Sequence, residues 1–139
     1  MTEDFVSYPL AQAMKNVGFD EQVPYFYSLE HSDPPTPNVW KKPAPKGGLM
    51  KFNNTELALM GDDISAPTLA LAAKWLRGKG YHIMPSYSLA NGRWYFTVTK
   101  LNGGYSHTNY ERHSFESYEA ALEAGINIVV HSFNVAKYL

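Results

Sequence analysis

The sequence predicts an α+β fold: an antiparallel sheet with helices packed on one side, the C-terminal half running α-β-β-β-α. Three observations carry that prediction. Leu69, Ala72, Ala73 and Leu76 recur at i, i+3, i+4 and i+7, which makes one apolar stripe on a helix. Residues 93–101 alternate, with Trp94, Phe96 and Val98 inward and Tyr95, Thr97 and Thr99 outward, as in a half-buried strand. Turn signals at Asn91-Gly92 and Asn102-Gly103-Gly104 bracket that strand and fold the chain back at both ends.

In chain order, Ser7 caps a first helix by offering its hydroxyl to an unpaired N–H, and Pro9 stands in the opening turn where a missing donor costs little. Leu10, Ala13, Met14 and Val17 form its stripe, and Gly18 ends it. Val23, Tyr25, Tyr27 and Leu29 share one face of a strand, with Pro24 marking an edge or a start. Residues 31–48 form a loop with five prolines from Pro34 to Pro45. Leu49-Met50-Lys51-Phe52 returns as a short strand paired with the first, Asn53-Asn54 turns the chain, and residues 56–60 fit either helix or loop. Ser65 repeats the capping pattern with Pro67 in the first turn, and Gly78 and Gly80 supply the stop. The shared Ser-x-Pro spacing of the two helices follows more readily from shared capping chemistry than from duplication.

Residues 81–88 form a first strand interrupted or bent at Pro85, where a bulge would change which residues oppose the next strand. Asn91-Gly92 reads as a type I′ hairpin turn with positive φ at both positions. Residues 105–115 make a third, more polar strand. Ser117 caps the closing helix, Glu119 favours its positive end, and Leu122, Ile126, Val129, Val130 and Phe133 form its buried face.

The Ser65-Ala66-Pro67-Thr68-Leu69 helix start, its end at Lys74-Trp75-Leu76-Arg77, and the closing Tyr118-Glu119-Ala120-Ala121 resemble a group of small uncharacterised proteins of gut anaerobic bacteria and their phages and mobile elements. The resemblance covers residues 64–133, with the first helix as a further candidate. It implies a fold and a genomic setting, and no activity, cofactor or site residue.

At 139 residues the chain reads as one domain, 1–139, built from an N-terminal helix and strand (1–30), a Pro-rich loop (31–48) and the α-β-β-β-α core (64–135), with a two-lobed arrangement as the alternative. A net charge of −1 sets up no global field toward nucleic acid or an anionic membrane. The lack of cysteine excludes disulfides, thiolate zinc sites and cysteine nucleophiles. The acidic start, Thr2-Glu3-Asp4, has no apolar run of a secretory signal, and no window reaches the length of a membrane span, so a cytoplasmic location is expected.

Chemistry-bearing patterns are sparse. The α-β-β-β-α order matches that of double-stranded RNA-binding domains, but those need cations at the start of the closing helix, where this chain has Glu119 and Glu123. His107, Glu111 and His113 share strand parity with Asn109, yet His107 and Glu111 would stand about 13 Å apart along an extended strand. No metal site and no cofactor are expected from them. Asp62-Asp63 is simply charge placed before a helix N-terminus. No nucleophile elbow, phosphate loop or His-Glu-x-x-His occurs, so no enzymatic activity is expected. The Pro-x-x-Pro run at Pro34-Pro35-Thr36-Pro37 and the basic Lys41-Lys42-Pro43 run flank Trp40, which either anchors a partner or folds back onto the core.

Two functions from different classes remain. The first is a non-enzymatic protein-interaction or accessory module contacting a protein partner through Trp40, Tyr87, Tyr95 and Tyr105. The alternative is weak nucleic-acid binding by exposed aromatics, with Arg93, Lys100 and Arg112 on phosphates.

Overall fold

The computed structural model describes residues 4–28, 35–39, 44–101, 106–109 and 114–137, the side chains of 106–109 and 134–137 excepted. The fold is α+β, with four helices and two three-stranded antiparallel sheets among the described residues. The chain divides into two compact units, one ending at Thr68 and one beginning at Leu69.

In the first unit, α1 (Tyr8–Asn16) starts as its sequence predicts, with the Ser7 hydroxyl accepting the Leu10 N–H at 3.4 Å and Pro9 in the first turn. It ends in a Schellman motif. Gly18 takes φ +94°, its N–H donates to Lys15 O at 3.1 Å, and the Phe19 N–H reaches back to Met14 O at 2.9 Å. Strand β1 (Tyr25–Tyr27) is the middle of a sheet whose outer strands are β2 (Asn38–Val39) and β3 (Ile64–Ser65). The buried Tyr27 phenol donates to Val6 O at 2.6 Å and so fastens the segment before α1 to this sheet.

The first unit departs from its sequence pattern at two places. The return strand at residues 49–52 shrinks to a single bridge, Val23 with Phe52, closed by two N–H···O bonds of 3.0 Å. The strands that actually flank β1 come from the Pro-rich loop and from residues 64–65. Ser65 is therefore not a helix cap: it lies in β3, 1% exposed, with a hydroxyl that has no hydrogen-bond partner. The helix starts later, as α3 (Leu69–Gly78), and Pro67 precedes it rather than opening it. Capping would satisfy one N–H. Pairing instead satisfies several, since the Ser65 N–H bonds Asn54 Oδ1 at 2.9 Å, the Ala66 N–H bonds Tyr25 O at 3.0 Å, and Pro67 O accepts from Val6 at 3.1 Å.

Helix α2 (Asn54–Met60) resolves the ambiguous stretch through a capping box. Asn53 Oδ1 accepts the Glu56 N–H at 2.8 Å, and Glu56 Oε1 accepts the Asn53 N–H at 3.1 Å. The Gln22 amide adds a 3.0 Å bond to the same carboxylate oxygen. These bonds, Gln22 first and Asn53 second, hold the Glu56 carboxyl below its ordinary value of 4.5. A depressed carboxyl adds stability that is complete above its unfolded value and is lost as pH falls through the folded one. The melting-temperature gap between the native chain and Glu56→Gln should thus be widest near neutrality and close as the pH is lowered past 4.5. A gap independent of pH would show that the charge contributes nothing to the box.

The second unit is a meander, β4 (Tyr81–Ser88), β5 (Arg93–Lys100) and β6 (Ser106–Asn109) in sheet order β4-β5-β6, with α3 and α4 (Tyr118–Lys137) packed against β4 and α4 also against β5. Strands β4 and β5 pair without a break from Tyr81↔Lys100 to Ser88↔Arg93. No bulge or interruption occurs at Pro85, which stands opposite Phe96; β4 is an edge strand, where a missing N–H need not break a ladder.

The expected two-residue turn is also replaced. Ser88 pairs with Arg93, leaving a four-residue loop, closed by Gly92 N–H to Ser88 O at 2.9 Å, with Gly92 alone at positive φ (+68°). A turn confined to Asn91-Gly92 would slide Ile83 opposite Lys100. The observed register sets Ile83 against Val98 and Tyr87 against Trp94, and such apolar cross-strand pairs determine the pairing.

Phe96 is fully buried on the helix-covered face, as alternation predicts. Thr97 and Thr99, expected outward, are only 7% and 8% exposed. Both are short side chains on the middle strand, flanked by paired neighbours such as Met84 and His82. Helix α4 keeps its predicted cap, with Ser117 Oγ accepting the Ala120 N–H at 3.0 Å, and it buries Leu122, Ile126, Val129 and Val130.

Candidate functional site

The β4–β5 hairpin end gathers the most distinctive surface of the second unit. Cross-strand pairing places Tyr87 beside Trp94 with ring centroids 5.4 Å apart, and α4 begins so that Tyr118 meets the same indole edge-on at 5.5 Å. The three rings form one edge-to-face cluster that stays open: Tyr87 is 50% and Tyr118 44% exposed, and Leu89 on the adjoining loop is 92% exposed. The Tyr87 hydroxyl reaches over that loop to Gly92, 3.5 Å from where a Cβ would stand.

Alternation sends Ser88, Arg93 and Tyr95 to the other face of the same hairpin end. There they line a hollow of about 250 Å³ with Asn91, Trp94 and Ser114. Arg93 is clamped along one edge. Its Nε donates to Ser114 Oγ at 2.9 Å and its Nη2 to Ser114 O at 3.3 Å. Ser114 is itself positioned by the bridge between Phe115 and Trp94, whose two backbone bonds measure 2.9 and 2.7 Å. The Asn91 side-chain oxygen accepts the Arg93 N–H at 3.1 Å, which ties the loop to the strand.

Of the residues expected to contact a protein, Tyr87 belongs to the open cluster, while Tyr95 is half-buried on the opposite face, across from Ser86. Trp40 and Tyr105 lie outside the described residues. Of the expected phosphate contacts, Arg93 sits at the hairpin end. Lys100 is at the far end of β5, about 24 Å along the strand and on the other face, with Nζ 5.9 Å from the Tyr81 ring. The two are not brought together, and Arg112 lies outside the described residues.

Trp94 points inward as alternation predicts and is half-buried on the face of Phe96, whereas alternation gives no sign of Tyr118 or Leu89 as surface. The signal available for Tyr118 was its place directly after the Ser117 cap, which sets the first turn of α4 at the margin of the sheet.

Glu111 and His113 are outside the described residues, among which no group of three or more metal-binding side chains occurs. No described helix is long and apolar enough to cross a membrane. Comparison with family models, with curated proteins and with solved structures finds no match.

Proposed function

We propose that this chain is a cytoplasmic, non-enzymatic protein-interaction module, an accessory factor of a phage or mobile element, that grips a protein partner with Tyr87, Trp94 and Tyr118. The observation that carries the reading is the open three-ring cluster at the hairpin end. Aromatic side chains dominate binding hot spots because they bury large area with few rotatable bonds, and rings already braced edge-to-face lose little freedom on docking. Leu89, on the loop that joins β4 to β5, adds exposed apolar surface to the same hairpin end. The genomic setting rests on the resemblance of the Ser-Ala-Pro-Thr-Leu helix and the closing helix.

The test is affinity capture from host lysate with the intact chain, with and without nuclease, at two salt concentrations. One protein recovered stoichiometrically after nuclease, and lost with Tyr87→Ala/Tyr118→Ala, is the expected result. Truncating two such anchors should weaken binding by about 30-fold or more. Nucleic acid that copurifies only at low salt would replace this reading with the phosphate-binding one, whose affinity falls steeply with salt.

A further inference from the structure

We propose that the hollow beside Arg93 binds a small oxyanion, a carboxylate or a phosphate, through the edge of the guanidinium that Ser114 leaves open. The inference does not depend on the aromatic cluster having a partner. A guanidinium carries five N–H donors in a rigid plane, arranged as two forks plus one outer hydrogen. In Arg93 the fork formed by Nε and Nη2 is occupied by Ser114 Oγ and Ser114 O. The second fork, between Nη1 and Nη2, has the spacing that two oxygens of one carboxylate or phosphate match.

The clamp holds the cation in place before any ligand arrives, so binding does not have to freeze a long side chain. The rest of the lining suits the same ligand. Asn91 spends its oxygen on the Arg93 N–H, which leaves its amide N–H groups as donors, and two hydroxyl-bearing residues, Ser88 and Tyr95, also line the hollow. Among the described residues the lining holds one cation and no carboxylate. A volume of about 250 Å³ lies below the usual range for drug-sized ligands, which restricts the occupant to an ion or a short acid.

The experiment follows the Arg93 Nε–H and the amides of residues 91–95 in proton–nitrogen correlation spectra of the whole chain. Sodium acetate and sodium phosphate are titrated separately, with chloride holding the ionic strength constant. Shifts confined to the hollow that saturate by the low-millimolar range are expected, and the anion that saturates identifies the carboxylate or the phosphate class. Arg93→Lys should weaken that binding at least about tenfold, because an ammonium offers no fork. Tyr95→Phe and Ser88→Ala, which leave the Ser114 clamp intact, should weaken it several-fold. Shifts that rise linearly with both anions, or that persist unchanged in all three variants, overturn the proposal. Capture of a protein through Tyr87 and Tyr118 would be untouched by that result.

Discussion

Gly125→Ala is expected to destabilise the second unit by about 1–3 kcal/mol, although in an exposed helix the same change would add about 1 kcal/mol of stability. The reversal comes from the depth at which α4 approaches the sheet. A Cβ on Gly125 would stand 2.5 Å from Ile83 Cγ2 and 3.1 Å from Phe96 Cδ2, and the first is closer than real Cβ contacts come. Neither neighbour has room to yield. Ile83 is 6% exposed and β-branched, with a stiff χ1, and Phe96 is fully buried. Relief therefore requires α4 to lift, which would loosen Ile126 and Val129 as well. The change that removes the clash is Ile83→Ala. Alone it should cost about 2–5 kcal/mol by opening a cavity; combined with Gly125→Ala, the new methyl partly fills that space. The double variant should lose less than the sum of the singles, with a coupling of about 0.5–3 kcal/mol. Urea denaturation of the four proteins measures it. Strict additivity, or a stabilising Gly125→Ala, would mean that α4 does not lie this close to β4.

Gly125 also marks the limit of what pattern reading reaches. Periodicity located α4 and most of its buried face, because Leu122, Ile126, Val129 and Val130 repeat at helical spacing. A glycine inside that pattern carries no period, and its role exists only against Ile83, 42 positions earlier in the chain. Local chemistry was equally reliable wherever one side chain decides, as at the Ser7 and Ser117 caps and the Gly18 stop. It failed at Ser65, where a good capping pattern competed with a strand of two residues, too short to show alternation. The hairpin loop failed for a related reason. Asn-Gly favours a tight turn, but the cross-strand partners of Ile83 and Tyr87 outweigh it. The candidate site was legible only in pieces. Tyr87 and Arg93 stand out by residue type alone, whereas the ring cluster needs a helix start 24 residues after Trp94 to bring Tyr118 to it.

In the first unit the corresponding test is Asn54→Ala, expected to cost about 2–5 kcal/mol. Asn54 is 6% exposed and spends both ends of its amide on backbone groups far away in sequence. Its Nδ2 donates to Phe19 O at 2.8 Å, just past the Schellman turn of α1, and its Oδ1 accepts the Ser65 N–H at 2.9 Å in β3. Alanine would take one hydrogen bond from Phe19 O, worth about 0.5–1.5 kcal/mol, and leave the Ser65 N–H without its acceptor at a residue 1% exposed, an orphan that carries about 1–3 kcal/mol of desolvation cost. Asn54→Asp separates the two bonds. Its carboxylate still accepts from Ser65 but turns a second oxygen toward Phe19 O, where an acceptor faces an acceptor. Protonation would restore a donor there, so the folded state raises the pKa of this carboxyl above its unfolded value. Stability gained from the protonated form is then complete at low pH and lost as pH rises through the folded value. Relative to Asn54→Ala, the aspartate variant should accordingly be more stable in acid than at neutrality. Chemical denaturation of both variants across that range reads the difference. A stability gap between the two variants that stays the same at every pH would show that the Phe19 bond contributes nothing and that the hold on Ser65 alone keeps β3 in the sheet.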